Sequence, residues 1–312
     1  MIQILNIIAP IFLIMAAGFI SVRRGLFAPG TMAPLGQFVL YIALPALIIS
    51  TLSRADLQHS IEPLFLVAYG GAALCCYTGV LLVSRLLMGN SWSLSGVKAF
   101  GGSFSNSAFI GYPLFLQVFD DPPVATFAMA LVFENVILMP IVLTVLESSH
   151  HESNGSLSQS LIKGTAQRVM RNPVMIAIAI GVALAALDIK LPAMVDNGLE
   201  LVGKGAAGAA LFFIGTALAT MKVAASVADA SVVGVSKLVL QPLLAAVLVM
   251  LLPPFDPALQ MAAVLLSASP MLTIFPVLSG KYGQTEFASS ILLTTTTAAF
   301  FSLSAVLYLL QH

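Results

Sequence analysis

The sequence predicts an all-α integral membrane fold: ten transmembrane helices as two inverted five-helix repeats, with helices 4 and 9 broken and crossing at the midplane. Three observations carry that expectation. The chain of 312 residues is 59% hydrophobic and only 8% charged, against about 25% charge in a soluble domain, so it lacks the polar groups to cover a globule in water. It divides into ten apolar windows, most of them near the 20 or so residues that a spanning helix needs. Two of those windows, at corresponding places in weakly similar halves, carry prolines, glycines and hydroxyl residues at their centres.

The windows are 2–22, 32–52, 63–87, 97–119, 124–146, 174–189, 203–221, 232–252, 259–280 and 287–310. The first has its charges after it, at Arg23 and Arg24. A cleaved signal peptide carries them before its apolar run, so this window reads as an uncleaved first span. The sixth is short. Brief loops with turn residues, such as "RRGLFAPG" and "PPFDP", join most of the windows. With the N-terminus outside, the inner loops collect nine cations: Arg23, Arg24, Arg85, Lys98, Lys163, Arg168, Arg171, Lys222 and Lys281. The outer side holds three, Arg54, Lys190 and Lys204, and Lys237 lies within a span. The excess of inner cations places both termini outside. The longest loop lies between the fifth and sixth windows. In it Leu157, Leu161 and Val169 recur at helical spacing, with Lys163 and Arg168 between them, which predicts a short helix lying on the inner leaflet. The chain therefore divides into a first repeat over 1–146, a cytoplasmic linker over 147–172 and a second repeat over 173–312.

The repeat shows when the chain is slid on itself by 163 residues. Pro10 then meets Pro173, Gly18 meets Gly181, and "SNSAFIGYPLF" meets "ASPMLTIFPVL" with Pro113 on Pro276. A shift of 167 brings "LGQFVLYIALPALIISTL" onto "VGKGAAGAALFFIGTALA". Each half holds five windows. Because five is odd, the second half enters the membrane upside down, the inverted-repeat plan of secondary transporters.

Span 4 reads "GGSFSNSAFIGYPLFLQVF" from Gly101 to Phe119. Lipid offers no hydrogen bonds, so irregular backbone survives at mid-depth only inside protein or beside a water-filled cavity. Asn106 lies about 14 Å from the start of its span at 1.5 Å per residue, and Pro270 lies at a similar depth from the opposite side. Proline is tolerated in the first turn of a helix, so Pro113 and Pro276 are expected to open the second halves of spans 4 and 9. Those halves would aim positive N-terminal ends at a shared anion, most simply a carboxylate. Ser105, Asn106, Ser107, Ser269 and Thr273 are the candidate hydrogen-bonding residues, with Pro113, Pro270 and Pro276 shaping the breaks.

Glu134 is the acid deep within a span, and a carboxylate there costs about 2.5–3.5 kcal/mol on insertion scales. Three roles are open to it: taking up a proton, helping to hold a cation, or pairing with a base. Lys237 either faces the cavity, holding a carboxylate or Glu134, or snorkels to the inner headgroups. Gln241 follows one turn later. Thr294 to Thr297 read as hydroxyls bonding their own helix. The run "GKGAAGAALFFIG" reads as close-packing scaffold. Cys75 and Cys76 are adjacent, which gives neither a disulfide framework nor a metal-ligand spacing.

"LYIALPALI", "SNSAFIGYPL", "RNPVMIAIAIG", "IGTAL", "SKLVLQPLL" and "KYGQTEFASSILLTTT" together give the chain a family resemblance along essentially its whole length. It resembles the auxin efflux carrier family of bacterial permeases, similar to malonate and malate carriers and more distantly to plant PIN transporters. The resemblance implies a scaffold of spans 1, 2, 6 and 7, often dimeric, and a moving domain of spans 3–5 and 8–10 that shifts in an elevator-like manner. It carries the family's break asparagine to Asn106 and its crossing prolines to Pro113, Pro270 and Pro276. Plant members flank that asparagine with proline, whereas Ser105 and Ser107 flank it here, so a metabolic organic acid rather than auxin is implied.

The expected function is thus a secondary transporter of a small organic anion, a mono- or dicarboxylate such as malonate or malate, in a bacterial plasma (inner) membrane. The expected partners are the carboxylate, membrane lipid and a second copy of the chain through the scaffold helices. No cofactor or metal is expected, and the candidate coupling ions are H+ and Na+. A sodium-coupled organic anion symporter of the bile-acid-carrier type stays open, although it needs an oxygen cage of which span 9 supplies no acid. A channel stays open too. Zero net charge argues against nucleic acid. Enzyme chemistry lacks its groups: His59, His150, His151 and His312 all fall in loops or at the terminus, and no aspartate lies mid-span.

Overall fold

The computed structural model describes residues 2–55, 62–148, 164, 167, 169–222 and 225–311. Its regular elements there are all helices. In chain order they are α1 (Ile2–Arg23), α2 (Ala33–Leu52), α3 (Pro63–Leu87), α4 (Trp92–Ser103), α5 (Ser107–Val118) and α6 (Val124–Ser148). After the linker come α7 (Pro173–Ala186), α8 (Ala193–Leu218), α9 (Ala228–Leu251), α10 (Pro257–Ala268), α11 (Phe275–Gly280) and α12 (Thr285–Gln311). Among the described residues seven of these, α1, α2, α3, α6, α8, α9 and α12, are long and apolar enough to cross a membrane. The shorter apolar helices are α5, α7 and α10.

Each short helix has a local cause. Residues 97–119 divide into α4 and α5, and residues 259–280 into α10 and α11. Helix α7 has 14 residues, about 21 Å at 1.5 Å per residue. It begins at Pro173, where Asn172 accepts from the Val174 N–H at 2.9 Å as an N-cap, and it stops before Asp188, whose φ is 50°. Of the helix expected in the linker, Leu157 and Leu161 lie outside the described residues, while Val169 to Arg171 are helical.

Five helical stretches widen by one residue into π turns: Val39–Ala43, Val83–Leu87, Ser107–Gly111, Phe133–Leu138 and Ser236–Leu240. Four of them end two residues before a proline, at Pro45, Pro113, Pro140 and Pro242. Proline lacks the N–H of the ladder and its ring collides with the carbonyl four residues back. An inserted residue re-aims that carbonyl, so the helix continues through the proline.

Glycine sets how closely α1, α2, α7 and α8 pack. A Cβ at Gly18 would stand 2.2 Å from the Phe212 carbonyl oxygen, and one at Gly215 would stand 1.9 Å from that of Met15. Thus α1 and α8 touch backbone to backbone. Gly181 of α7 packs on α2 less tightly, where a Cβ would come 2.8 Å from Leu52 Cβ and 3.4 Å from the Ile48 carbonyl oxygen. Gly203 presses on Leu47, and Gly36 on the ring of Phe213. Helices α3 to α6 and α9 to α12 pack beside this group. Phe12 meets Phe300 edge to face at 5.1 Å, and Phe109 meets Phe213 at 6.1 Å.

Lys98, counted from sequence among the inner-loop cations, lies fully buried inside α4. Its ammonium is paired with the Asp229 carboxylate near the start of α9. The window placed its first residues one turn too late, because Ser91 caps a helix that begins at Trp92.

Candidate functional site

The site forms where the two breaks meet. After Ser103 the chain leaves helix α4 with an extended Phe104 (φ −87°, ψ 121°) and re-enters helix at Ser107. After Ala268 it leaves α10 through an extended Ser269 (φ −60°, ψ 139°). The Pro270 ring disfavours helical backbone at Ser269, which explains the second exit. The two extended stretches lie antiparallel, with a single bridge between Ser105 and Met271, and the Asn106 N–H donates to the Pro270 carbonyl at 2.8 Å. Each break therefore satisfies the backbone of the other, as apolar surroundings require. Glycine permits the approach. A Cβ at Gly101 would stand 2.9 Å from the Phe275 ring, and one at Gly111 2.6 Å from Leu266.

Asn106 stands at the N-cap of α5, where asparagine commonly accepts from its own first turn. Its backbone carbonyl does accept from Ile110 and Gly111, each at 3.0 Å. Its side chain reaches across instead: Nδ2 donates to Thr273 Oγ1 at 2.6 Å, and Oδ1, fully buried, has no protein donor. The first turn of α5 is left without a side-chain cap, facing the crossing.

Two ionisable side chains from π turns flank this pair. Glu134 Oε1 on α6 accepts from Ser107 Oγ at 2.6 Å and from the Tyr69 hydroxyl of α3, and Tyr69 lies 3.2 Å from Ser107 Oγ as well. On the other side Lys237 of α9 donates to Ser105 Oγ at 2.8 Å, to Gln241 Oε1 at 2.6 Å and to the Ser267 carbonyl at 2.8 Å. Its side chain is fully buried, so the snorkelling arrangement is not the one adopted. Ser105, Asn106 and Ser107 are consecutive, so a three-residue stretch of α4–α5 touches Lys237, Thr273 and Glu134 in turn.

Ser105, Asn106, Ser107, Ser269, Pro270, Thr273, Glu134, Lys237 and Gln241 are thus brought together, whereas Pro113 and Pro276 are not and the Ser269 hydroxyl turns away. Pro113 does not open the second half of span 4. Helix α5 starts six residues earlier, at Ser107, because the π turn over Ser107–Gly111 accommodates the proline inside a continuous helix. Pro276 does lie in the first turn of α11, but it borders a separate cleft with Lys222 and Glu286. That helix has six residues, too few to develop the half-charge of a long helix. Ser269 Oγ turns back to the Leu265 carbonyl of its own helix at 3.4 Å. In α12, Thr294, Thr295 and Thr297 bond their own helix as well.

Sequence reasoning missed Tyr69 and the Ser267 carbonyl. Tyr69 sits within an apolar run and nothing in its neighbours sets it apart; only the fold places it against Glu134. The crossing is closed, since Ser105, Asn106, Ser107 and Thr273 are all buried. A cleft of about 210 Å³ lies beside it, lined by Asn135 and Ile274, the chain neighbours of Glu134 and Thr273, and by Glu147, Asn172 and Lys281. Among the described residues no cluster of histidine, cysteine or acidic side chains suits a metal ion.

A broken pair of helices crossing at buried polar groups, in a multi-pass helical membrane protein, is transporter architecture. The comparisons with known proteins agree. Over its full length the chain is 26% identical to a protein of Rhizobium meliloti (strain 1021) named "Putative malonate transporter", covering 97% of that relative. It is 26% identical over 250 residues to the "Uncharacterized transporter YfdV" of Escherichia coli (strain K12), covering 75% of this chain and 74% of the relative. It is 25% identical over 213 residues to the "Lysosomal cholesterol signaling protein" of Mus musculus, covering 65% of this chain but 24% of that protein. The model of the family described as "Membrane transport protein" matches residues 3–308, and the chain therefore belongs to that family, the auxin efflux carrier family whose recurring stretches its sequence carries.

Proposed function

We propose that this protein is a secondary transporter that moves a small mono- or dicarboxylate, such as malonate or malate, across a bacterial inner membrane by elevator-like alternating access. In this reading ten spans form two inverted repeats, 1–146 and 173–312, joined by the cytoplasmic linker 147–172, with both termini outside. Reciprocal packing supports the repeats. Gly18 of α1 rests on Phe212 and Thr216 of α8, while Gly181, its counterpart 163 positions later, rests on Ile48 and Leu52 of α2. Gly36 meets Phe213, and its counterpart Gly203 meets Leu47. These contacts tie α1, α2, α7 and α8 into one scaffold, past which the crossing and its flanking helices slide on largely apolar faces.

The observation that carries the anion reading is Lys237. Its ammonium is buried, and its hydrogen-bond partners within 2.8 Å are neutral oxygens. A cation in apolar surroundings calls for a counter-charge. The uncapped first turn of α5 adds positive potential at the crossing. Turning the Asn106 amide over, so that Oδ1 accepts from Thr273, frees Nδ2 to donate to the carboxylate of a substrate. Glu134 supplies the coupling. While ionised it balances Lys237. When it takes up a proton, the ammonium charge is left for the substrate, so proton and carboxylate travel together.

Counterflow in proteoliposomes tests the proposal. Liposomes loaded with unlabelled malonate or malate accumulate the labelled acid when the protein is present. If no mono- or dicarboxylate exchanges faster than in empty liposomes, the carboxylate reading falls. The relative named as a malonate transporter makes malonate the first acid to try.

A further inference from the structure

The oxygens around Lys237 do more than leave a charge for the substrate to balance. An ammonium has three donors and no acceptor. All three are used, on Ser105 Oγ, Gln241 Oε1 and the Ser267 carbonyl, at 2.6–2.8 Å. These come from three different elements: the first break, α9 and the last turn of α10. No hydrogen of the ammonium is left over for a ligand. Two more polar atoms of the same residues, Ser267 Oγ and Gln241 Nε2, are buried without a partner. Ser236, the preceding residue, ties the same corner to α4 by donating to the Gly102 carbonyl at 2.9 Å.

We infer that this is a monovalent-cation site whose ion is the protein's own: the Lys237 ammonium, on its tether, fills an oxygen cage that holds the two breaks in register. A free cation in such a place bridges oxygens of separate segments and departs when the protein changes state. A covalently attached one cannot leave. The crossing is then permanently ion-loaded, and transport draws nothing from a sodium gradient. The functional half of this inference rests on the crossing being the transport site. The cage itself does not, and its chemistry is testable without any substrate.

The test is a melting experiment on the purified full chain in detergent, comparing wild type with Lys237→Ala. Each is titrated with ammonium chloride, methylammonium chloride or sodium chloride, with choline chloride holding the total salt constant. The cage predicts that ammonium or methylammonium raises the melting midpoint of Lys237→Ala saturably by a few degrees, as ligands that bind only the folded state do. Choline does not enter the cage, and wild type responds to none of these salts. Lys237→Met is the control, because its side chain still fills the space of the lysine stem and blocks rescue. A folded Lys237→Ala that responds identically to all four salts overturns the proposal. If that variant folds in no salt, wild type decides: sodium-specific stabilisation or sodium-dependent uptake overturns the tethered cation, and indifference to sodium in both upholds it. Cation rescue of melting in a protein that exchanges no carboxylate would leave the cage standing and remove the carboxylate reading. Carboxylate exchange without rescue would do the reverse.

Discussion

Asn106 and Thr273 lie 167 residues apart and join side chain to side chain at 2.6 Å, each standing at the break of its own half of the chain. Asn106→Ala removes the amide that bridges the breaks and leaves the Thr273 hydroxyl without its donor, at a cost of about 1–3 kcal/mol. The backbone bond from Asn106 to Pro270 survives the substitution. The expected outcome is loss of carboxylate uptake with a protein that still reaches the membrane and melts only a few degrees lower. Normal uptake by this variant, measured beside its melting curve, would move the site elsewhere.

Glu134 separates exchange from accumulation. Glu134→Gln keeps an acceptor for Ser107 and Tyr69 but carries no titratable proton. If Glu134 couples substrate to protons, this variant still exchanges labelled for unlabelled acid, yet a pH gradient no longer drives accumulation. Its exchange rate also becomes flat with pH where that of wild type falls as protons become scarce. Measuring counterflow and gradient-driven uptake on the same liposomes distinguishes the cases. An unchanged pH profile assigns the carboxyl a structural role.

Much of the site was legible because lipid punishes polar groups that have no purpose. The serines and asparagine of Gly101–Phe119 and the acid of α6 stand out against apolar surroundings, and the structure gathers Ser105, Asn106, Ser107, Thr273, Glu134, Lys237 and Gln241 into one cluster. Helix phase was harder to read. Pro113 is a helix opener by rule, but a π turn lets a helix run through it, so α5 starts at Ser107. The signal was present: Ser107, Glu134 and Lys237 each lie in a widened turn that ends two residues before a proline. Tyr69 was hidden because a tyrosine in an apolar run is ordinary, and only tertiary packing aims its hydroxyl. Lys98 was misplaced because hydropathy cannot tell an interfacial lysine from one buried against Asp229.

That ion pair carries an asymmetry. Lys98 is fully buried, while the Asp229 side chain is 24% exposed. Asp229→Ala leaves a buried ammonium whose other named contact is the Met88 sulfur at 3.9 Å. Removing one partner of a buried pair costs about 3–5 kcal/mol. Lys98→Met leaves a carboxylate that water and Ser226, 2.7 Å away, still solvate. Asp229→Ala is therefore expected to lower the melting midpoint more than Lys98→Met, and the double variant to recover much of that loss. Equal effects of the two single substitutions would mean that Lys98 reaches water.

The α1–α8 seam tests the scaffold. At Gly215 an added Cβ would sit 1.9 Å from the Met15 carbonyl oxygen, which is backbone and cannot rotate away, and at Gly18 the obstacle is the Phe212 carbonyl oxygen. Gly208, on the same helix as Gly215, has nothing within 4 Å of the same position. Helix propensity favours alanine over glycine by about 1 kcal/mol at all three. Overpacking costs typically 1–3 kcal/mol, and it wins only where the helices touch. Gly208→Ala is therefore expected to hold or raise the melting midpoint, while Gly215→Ala and Gly18→Ala lower it by forcing α1 and α8 apart. Since neither residue is among those gathered at the crossing, protein that remains folded should still bind carboxylate. Melting curves of the three variants, with and without malonate, check both halves of the argument. A Gly215→Ala variant as stable as Gly208→Ala would mean that α1 and α8 are not in backbone contact.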